Sequence, residues 1–293
     1  MAHLNSYPKL EAKISRWAQE QTAVQAILRI GSRARQLRPA DDWSDLDLIL
    51  LVSEPEPYAS DSAWLTAVGE PLVPVLMRYD NGFEWLVVFA DGLKADFYFI
   101  EAESDLTAVI ARPPFPHVLR RGADVLYIRP GLTLDLPPAE QEPAAQPTAV
   151  SFGHEVHAML LSAFKTSKYI HRSDLWRAHL LLDTDMRTRL LTMIEWHARA
   201  LFGPDRDTWY KGRYLDEWAD PRVLAALPNT YGRFTPEETW RALFAMLILY
   251  RWLAEETAVK NQFPFPQTAA DQILAWIQEI YTATPATPAP VDD

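Results

Sequence analysis

The stretch "ILRIGSRARQLRPADDWSDLDLIL", residues 27–50, decides the reading of the chain. An apolar, strand-like run ends at Gly31-Ser32, and arginines and turn formers follow. Then "DLDLILLV" places two carboxylates in a segment that otherwise reads as a buried strand. Strand side chains alternate, so Asp45 and Asp47 share one face while Leu46, Leu48 and Leu50 share the other. Two adjacent carboxylates repel unless a cation lies between them. Mg²⁺ suits an all-oxygen set. A third carboxylate, Asp96, stands among apolar residues in "LKADFYFI", where a charge has no structural reason to be. Gly31 permits a sharp turn and a close backbone approach. The N–H groups that follow, with the Ser32 hydroxyl, can cradle a phosphate, and Arg33 adds a charge-assisted donor. Phosphate donors beside a carboxylate metal site are what a nucleoside triphosphate with Mg²⁺ requires.

The composition bounds what surrounds this motif. The chain has 293 residues, 48% hydrophobic and 23% charged, as expected of a folded globular protein of one large domain or two ordinary ones. No apolar run is long enough to span a bilayer, and the polar start "MAHLNSYPKLEAK" lacks a signal-peptide core, so no membrane partner is expected. Cysteine is absent, which rules out disulfides and thiolate metal sites and fits a reducing cytoplasm. The net charge of −11 disfavours a nucleic-acid partner and suits a cationic small molecule. The reading favours a monomer over an oligomer.

Punctuation along the chain divides it into zones. Residues 1–130 alternate helical and strand patterns: a helix at 9–21, strands "VQAILRI" and "DLDLILLV", a short helix at 58–68, and a hairpin of "PLVPVLMRY" and "FEWLVVFA" about "DNG". The strand "LKADFYFIEA", a helix at 103–111 and a last strand "DVLYI" complete that zone. Residues 131–150 are rich in Pro, Ala and Glu and read as a linker. Residues 151–283 are helix-patterned, and 284–293 read as a disordered tail. Long helices are expected at 152–171 and 173–201. Another starts at Thr235-Pro236 with Glu238 as capping partner and buries Trp240, Leu243, Phe244, Leu247 and Ile248. In the last helix Ile273, Leu274, Ile277 and Tyr281 repeat the pattern. The fold class is α+β: an N-terminal mixed β-sheet with covering helices, then an α-helical bundle.

The pattern of strand, Gly-Ser, twelve intervening residues, Asp-x-Asp and a later strand Asp resembles that of the nucleotidyltransferase superfamily. Within it, "GSRA…DDWSDLDL" looks like the opening of the aminoglycoside 6-adenylyltransferases, the streptomycin adenylyltransferases. The segments "KYIHRSDLWRAH", "LLTMIEWHAR", "YKGRYLDEWADP" and "TWRALFAMLILYRWLAEETA" resemble that family's helical domain, in order. The resemblance implies an enzyme that transfers AMP from ATP, with Mg²⁺, to a hydroxyl of an aminoglycoside-like antibiotic. Residue by residue, it implies a phosphate-binding turn at Gly31, Ser32 and Arg33, and metal ligands at Asp45 and Asp47. It makes Asp96 a metal ligand, a general base or both. Lys168 matches a helical-domain lysine expected near the triphosphate, and Lys211 and Arg213 fall in a basic turn.

A polycationic acceptor calls for an acidic cleft, for which Asp183, Asp185, Glu195 and Glu101 are the candidates. Trp176 and Trp209 could stack on sugars, although buried packing is the commoner fate of such residues. The "HEVH" at 154–157 lacks both zincin spacing and a third ligand, so no zinc site is expected. Two alternatives keep the fold: transfer to another small-molecule or protein hydroxyl, or a non-catalytic nucleotide-binding homologue.

Overall fold

The computed structural model describes residues 7–35, 37–139 and 146–284. The chain divides into two compact units, Met1–Glu142 and Pro143–Asp293.

The first unit is built on a mixed sheet. Helix α1 (Tyr7–Glu20) precedes β1 (Val24–Ile30), a single 3₁₀ turn at Gly31–Arg33, and β2 (Leu46–Val52). Two short helices, α2 (Glu56–Ser60) and α3 (Leu65–Val68), stand where one was expected over 58–68. Strands β3 (Pro71–Tyr79), β4 (Gly82–Phe89) and β5 (Lys94–Glu101) follow. Short helices α4 (Leu106–Ile110) and α5 (Phe115–Leu119) then lead to β6 (Asp124–Ile128). The helix expected over 103–111 is thus shorter, because the Asp105 carboxylate caps it by accepting from Ala108 N. The strand order is β3-β4-β5-β2-β1-β6, and only the central β2–β5 pair is parallel.

Alternation assigns the two faces of this sheet. One carries Ile27, Leu46, Leu48, Leu50, Phe83, Trp85, Phe97 and Phe99 and is covered by Leu10, Ile14 and Trp17 of α1 with Tyr58 and Leu65. The other carries Ala26, Leu28, Ile49, Leu51 and Ile100 beneath Leu106, Val109, Ile110, Phe115 and Leu119. Each fully buried Leu or Phe contributes about 1.5–3 kcal/mol by leaving water. On this second face the apolar cover is centred on the late residues of β2 and β5. Asp47 and Asp96 lie earlier on the same strands, on the same face. The segment from 131, expected as linker, begins on this unit: Leu132, Leu134 and Leu136 pack against the second core. Their period of two was the overlooked signal. Residues 140–145 of the linker and 285–293 of the tail lie outside the described residues.

The second unit is helical. Helix α6 (Ala149–His171) begins at a capping box in which Thr148 and Ser151 exchange side-chain and backbone hydrogen bonds. The helix expected at 173–201 is α7 (Leu175–Leu180), a π-helical turn at Leu181–Met186 and α8 (Arg187–Phe202). Short helices α9 (Leu215–Trp218) and α10 (Pro221–Ala226) precede α11 (Pro236–Asn261) and α12 (Gln267–Thr282). Thr235 caps α11 by accepting from Glu238 N at 3.3 Å, but the expected capping box is not closed, because the Glu238 carboxylate accepts from Arg241 and Thr235 N donates to the Arg233 carbonyl. Trp240, Leu243 and Leu247 are buried, but Ile248 is 72% exposed, and Met246, Tyr250 and Leu253 complete the core stripe instead. The stripe drifts around a helix of 26 residues because 3.6 residues per turn does not hold one face indefinitely. Ile277 is buried and Ile273 and Leu274 partly so, while Tyr281 is partly exposed and packs edge-on against Trp240 and Phe244.

Candidate active site

The site grows from the start of the parallel β2–β5 pair. In that ladder Asp47 stands directly opposite Asp96. Asp45 comes one residue before β2 rather than within it, so its side chain is set by the preceding loop as well as by strand alternation. That loop is tightly organised. The Asp41 carboxylate accepts from Trp43 N at 3.0 Å and from the Ser44 hydroxyl at 2.7 Å. Arg33 donates from Nε to the Asp45 carbonyl at 3.1 Å and from Nη2 to the Ser44 carbonyl at 2.8 Å. Its guanidinium lies over the Tyr7 ring, 3.5 Å from the centroid. Arg33, expected as a phosphate donor, therefore grips the backbone that presents Asp45.

Gly31 has φ +68, a left-handed conformation, and a Cβ there would fall 2.1 Å from Asp47 Oδ2. The glycine is thus required twice, for its backbone and for its missing side chain. Ser32 is buried beside it, in the one-turn helix that carries Gly31 to Arg33. The turn lies against Asp47, and Asp47 lies opposite Asp96.

Lys94 is the residue that sequence reading passed over. Its ammonium donates to Asp45 Oδ2 at 2.9 Å and to Asp96 Oδ1 and Oδ2 at 2.9 and 2.7 Å. The signal was present: Lys94 precedes Asp96 by two and so shares its strand face. Burial would lower the Lys94 pKa, but its hydrogen bonds to Asp96 and Asp45, with their charges, raise it. Burial pushes Asp47 up to about 6, with the Asp96 charge adding to it, Lys94 opposing, and Asp45 and Glu84 adding further. Asp96 is also raised, by burial and by Asp45, against the opposing effect of Lys94.

Glu84, within "FEWLVV", was also overlooked. It lies on β4 opposite Tyr98, accepts from the Tyr79 hydroxyl at 3.1 Å, and has its carboxyl raised by burial and by the Asp96 charge.

Do these residues suit a divalent metal? All their donors are carboxylate oxygens, and two of the three carboxylates already converge on one cation, the Lys94 ammonium. The chemistry of the set fits Mg²⁺. Among the described residues no three His, Asp or Glu side chains are gathered in a metal-holding arrangement. The point of convergence is filled by Lys94.

The other candidates lie elsewhere. Glu101 is the exposed last residue of β5, paired in register with Val52. Asp183 and Asp185 fall in the π-helical turn. Asp183 meets His179 Nδ1 at 3.0 Å and Arg187 at 3.3 Å, and Asp185 accepts from Arg189 at 2.9 Å and from Ser162. Glu195 has its carboxyl raised by burial and is 3.7 Å from Arg199. Each of these three acids is thus engaged within its own unit. Trp176 is 73% exposed rather than packed, whereas Trp209 packs against the core and Tyr214.

Lys168 has its ammonium 4.0 Å from the Phe164 ring centroid. It lines a cavity of about 330 Å³ with His171, Arg172, Glu279, Ile280 and Ala283. Lys211 takes φ +53 in a turn where Trp209, Gly212 and Tyr214 also have positive φ. Arg213 lies 5.2 Å from the Tyr214 ring centroid. No described helix is long and apolar enough to cross a membrane.

Comparison with known proteins bears on this site. The sequence matches the streptomycin adenylyltransferase family over residues 5–280. An aminoglycoside 6-adenylyltransferase of Campylobacter jejuni is 20% identical over 257 residues, covering 85% of this chain and 87% of that one. One from Bacillus subtilis (strain 168) is 21% identical over 256 residues, covering 80% and 84%. A crystal structure of an aminoglycoside 6-adenyltransferase from Bacillus subtilis aligns with a TM-score of 0.46 at 17% identity, covering 94% of this chain and 97% of that chain. The family match takes in the glycine turn, all three aspartates and both compact units, and the chain belongs to the streptomycin adenylyltransferase family of nucleotidyltransferases.

Proposed function

We propose that the protein transfers AMP from ATP to a hydroxyl of an aminoglycoside-like, streptomycin-type antibiotic and releases pyrophosphate. The observation that carries this reading is the opposition of Asp47 and Asp96 in the β2–β5 ladder, with Asp45 beside them and the Gly31 turn against Asp47. Asp45, Asp47 and Asp96 would hold Mg²⁺, which when bound neutralises triphosphate charge and polarises the α-phosphate. The backbone after Gly31 and the Ser32 hydroxyl receive phosphate oxygens. Arg33 acts one step back, fixing Asp45. The acceptor oxygen attacks the α-phosphorus in line, forming the new O–P bond as the bond to the bridging oxygen of pyrophosphate breaks. On the family resemblance Asp96 is assigned to orient the acceptor hydroxyl and take its proton. Lys168 and Lys211 are assigned to the triphosphate on the family resemblance.

The net charge of −11 supports a cationic acceptor. Asp183, Asp185 and Glu195 are weaker candidates for it than exposed Glu101, because the first three are already paired. The test is pyrophosphate release from Mg-ATP across a panel of aminoglycosides, with D47N as the blank. Release with streptomycin-type acceptors at a rate D47N lacks is expected. Release only with another class of hydroxyl would reassign the acceptor, and binding of ATP without release from any acceptor would make the protein a non-catalytic homologue.

A further inference from the structure

We propose that Lys94 is a built-in counter-ion that holds the carboxylate site closed against metal and must swing out before a divalent ion is bound. This rests on the metal reading above. Three observations support it. Three contacts of 2.7–2.9 Å place the ammonium between Asp45 and Asp96, the position a shared cation would take. Among the described residues no three acidic side chains are gathered for a metal, and Asp45 and Asp96 meet on the Lys94 ammonium instead. And Lys94 is 35% exposed at the start of its strand, so its long side chain has solvent to move into.

An ammonium seated between Asp45 and Asp96 repels a divalent cation brought to the same oxygens, because the like charges would lie within a few ångströms of each other. Displacement exchanges three charge-assisted hydrogen bonds for direct metal–oxygen contacts. Lys94 thereby keeps repelling carboxylates together in the metal-free protein and sets a threshold for metal entry. Once outside, its charge lies near the mouth of the site, where a triphosphate would meet it. Lys94 is a positioning residue in this account, acting through Asp45 and Asp96.

The test uses Mn²⁺ as probe and needs no turnover. Binding to the full chain is followed by electron paramagnetic resonance for wild type and for Lys94→Met and Lys94→Gln. Both variants should hold Mn²⁺ about tenfold more tightly than wild type, since the competing charge-assisted hydrogen bonds no longer have to be broken. Their metal-free melting temperatures should fall, and Mn²⁺ should raise them further than it raises that of wild type. A second measurement uses the wild type alone. Lysine acetylation is mapped by mass spectrometry with and without Mn²⁺, and labelling of Lys94 should rise when Mn²⁺ is added. Equal or weaker Mn²⁺ binding by the variants, or Lys94 labelling that stays level or falls, overturns the counter-ion role while wild-type binding leaves the metal reading intact. If neither wild type nor variants hold Mn²⁺, the metal reading itself falls, and this proposal with it.

Discussion

Gly31 and Asp47 approach so closely that a Cβ on residue 31 would lie 2.1 Å from Asp47 Oδ2. Nothing but hydrogen fits there, and φ of +68 penalises any side chain independently. Gly31→Ala should therefore displace the Asp47 carboxylate and strain the turn, costing about 1–3 kcal/mol. The expected result is a lowered melting temperature with loss of pyrophosphate release. A variant with wild-type rate would place the catalytic carboxylate elsewhere.

Asp47→Asn separates function from folding. Its carboxyl is pushed up to about 6 by burial and by Asp96, so its charge opposes the folded state. The amide should fold as well as wild type or gain on the order of 1 kcal/mol, while activity falls at least about 100-fold. Paired denaturation and rate measurements check both halves.

Arg33→Lys tests whether Arg33 positions Asp45. Lysine keeps the charge but cannot reach two successive carbonyls with one planar fork. The rate constant kcat should fall about 10–100-fold, with a smaller change in the KM for ATP. A large KM effect with kcat preserved would favour direct phosphate contact instead.

In the helical unit, burial alone would raise the Glu256 carboxyl. Hydrogen bonds from His197, Trp252 and Arg222, with the Arg222 charge, outweigh it and hold the pKa at about 2. Asp220 shares the Arg222 guanidinium at 3.0 Å. A depressed folded-state pKa means stability that is present above the ordinary carboxylate value and lost as pH falls toward about 2. Glu256→Gln should cost about 1 kcal/mol at neutral pH, allowing for screening at a partly exposed group. The gap to wild type should narrow as pH falls below about 4.5. A gap that is constant with pH in chemical denaturation would show that the charge contributes nothing.

Helix α11 offers a test of register. Leu243 is fully buried, so Leu243→Ala should cost about 2–5 kcal/mol. Ile248, although apolar, faces outward, so Ile248→Lys should change stability by no more than about 0.5 kcal/mol. Equal effects would mean that the helix is rotated from the position described.

The sequence by itself determined much. Alternation and turn residues determined that β1 ends at Gly31, that Asp47 and Asp96 lie on strands, and that the chain runs from a mixed sheet into a helical bundle. These are local properties, set by strand period, glycine geometry and capping chemistry within a few residues. Only the tertiary structure decided that β2 and β5 are parallel neighbours in a register that sets Asp47 against Asp96, since pairing across some fifty residues leaves no local trace. It also decided which charges are free. Arg33 reads in sequence as a phosphate donor, and only the fold shows that its fork meets the Ser44 and Asp45 carbonyls, just as only the fold brings Arg189 to Asp185. Lys94 was visible in sequence as a neighbour of Asp96, but its place between two carboxylates depends on Asp45 arriving from another strand's end. Charge partners are chosen by distance in space, which sequence spacing specifies only within one element.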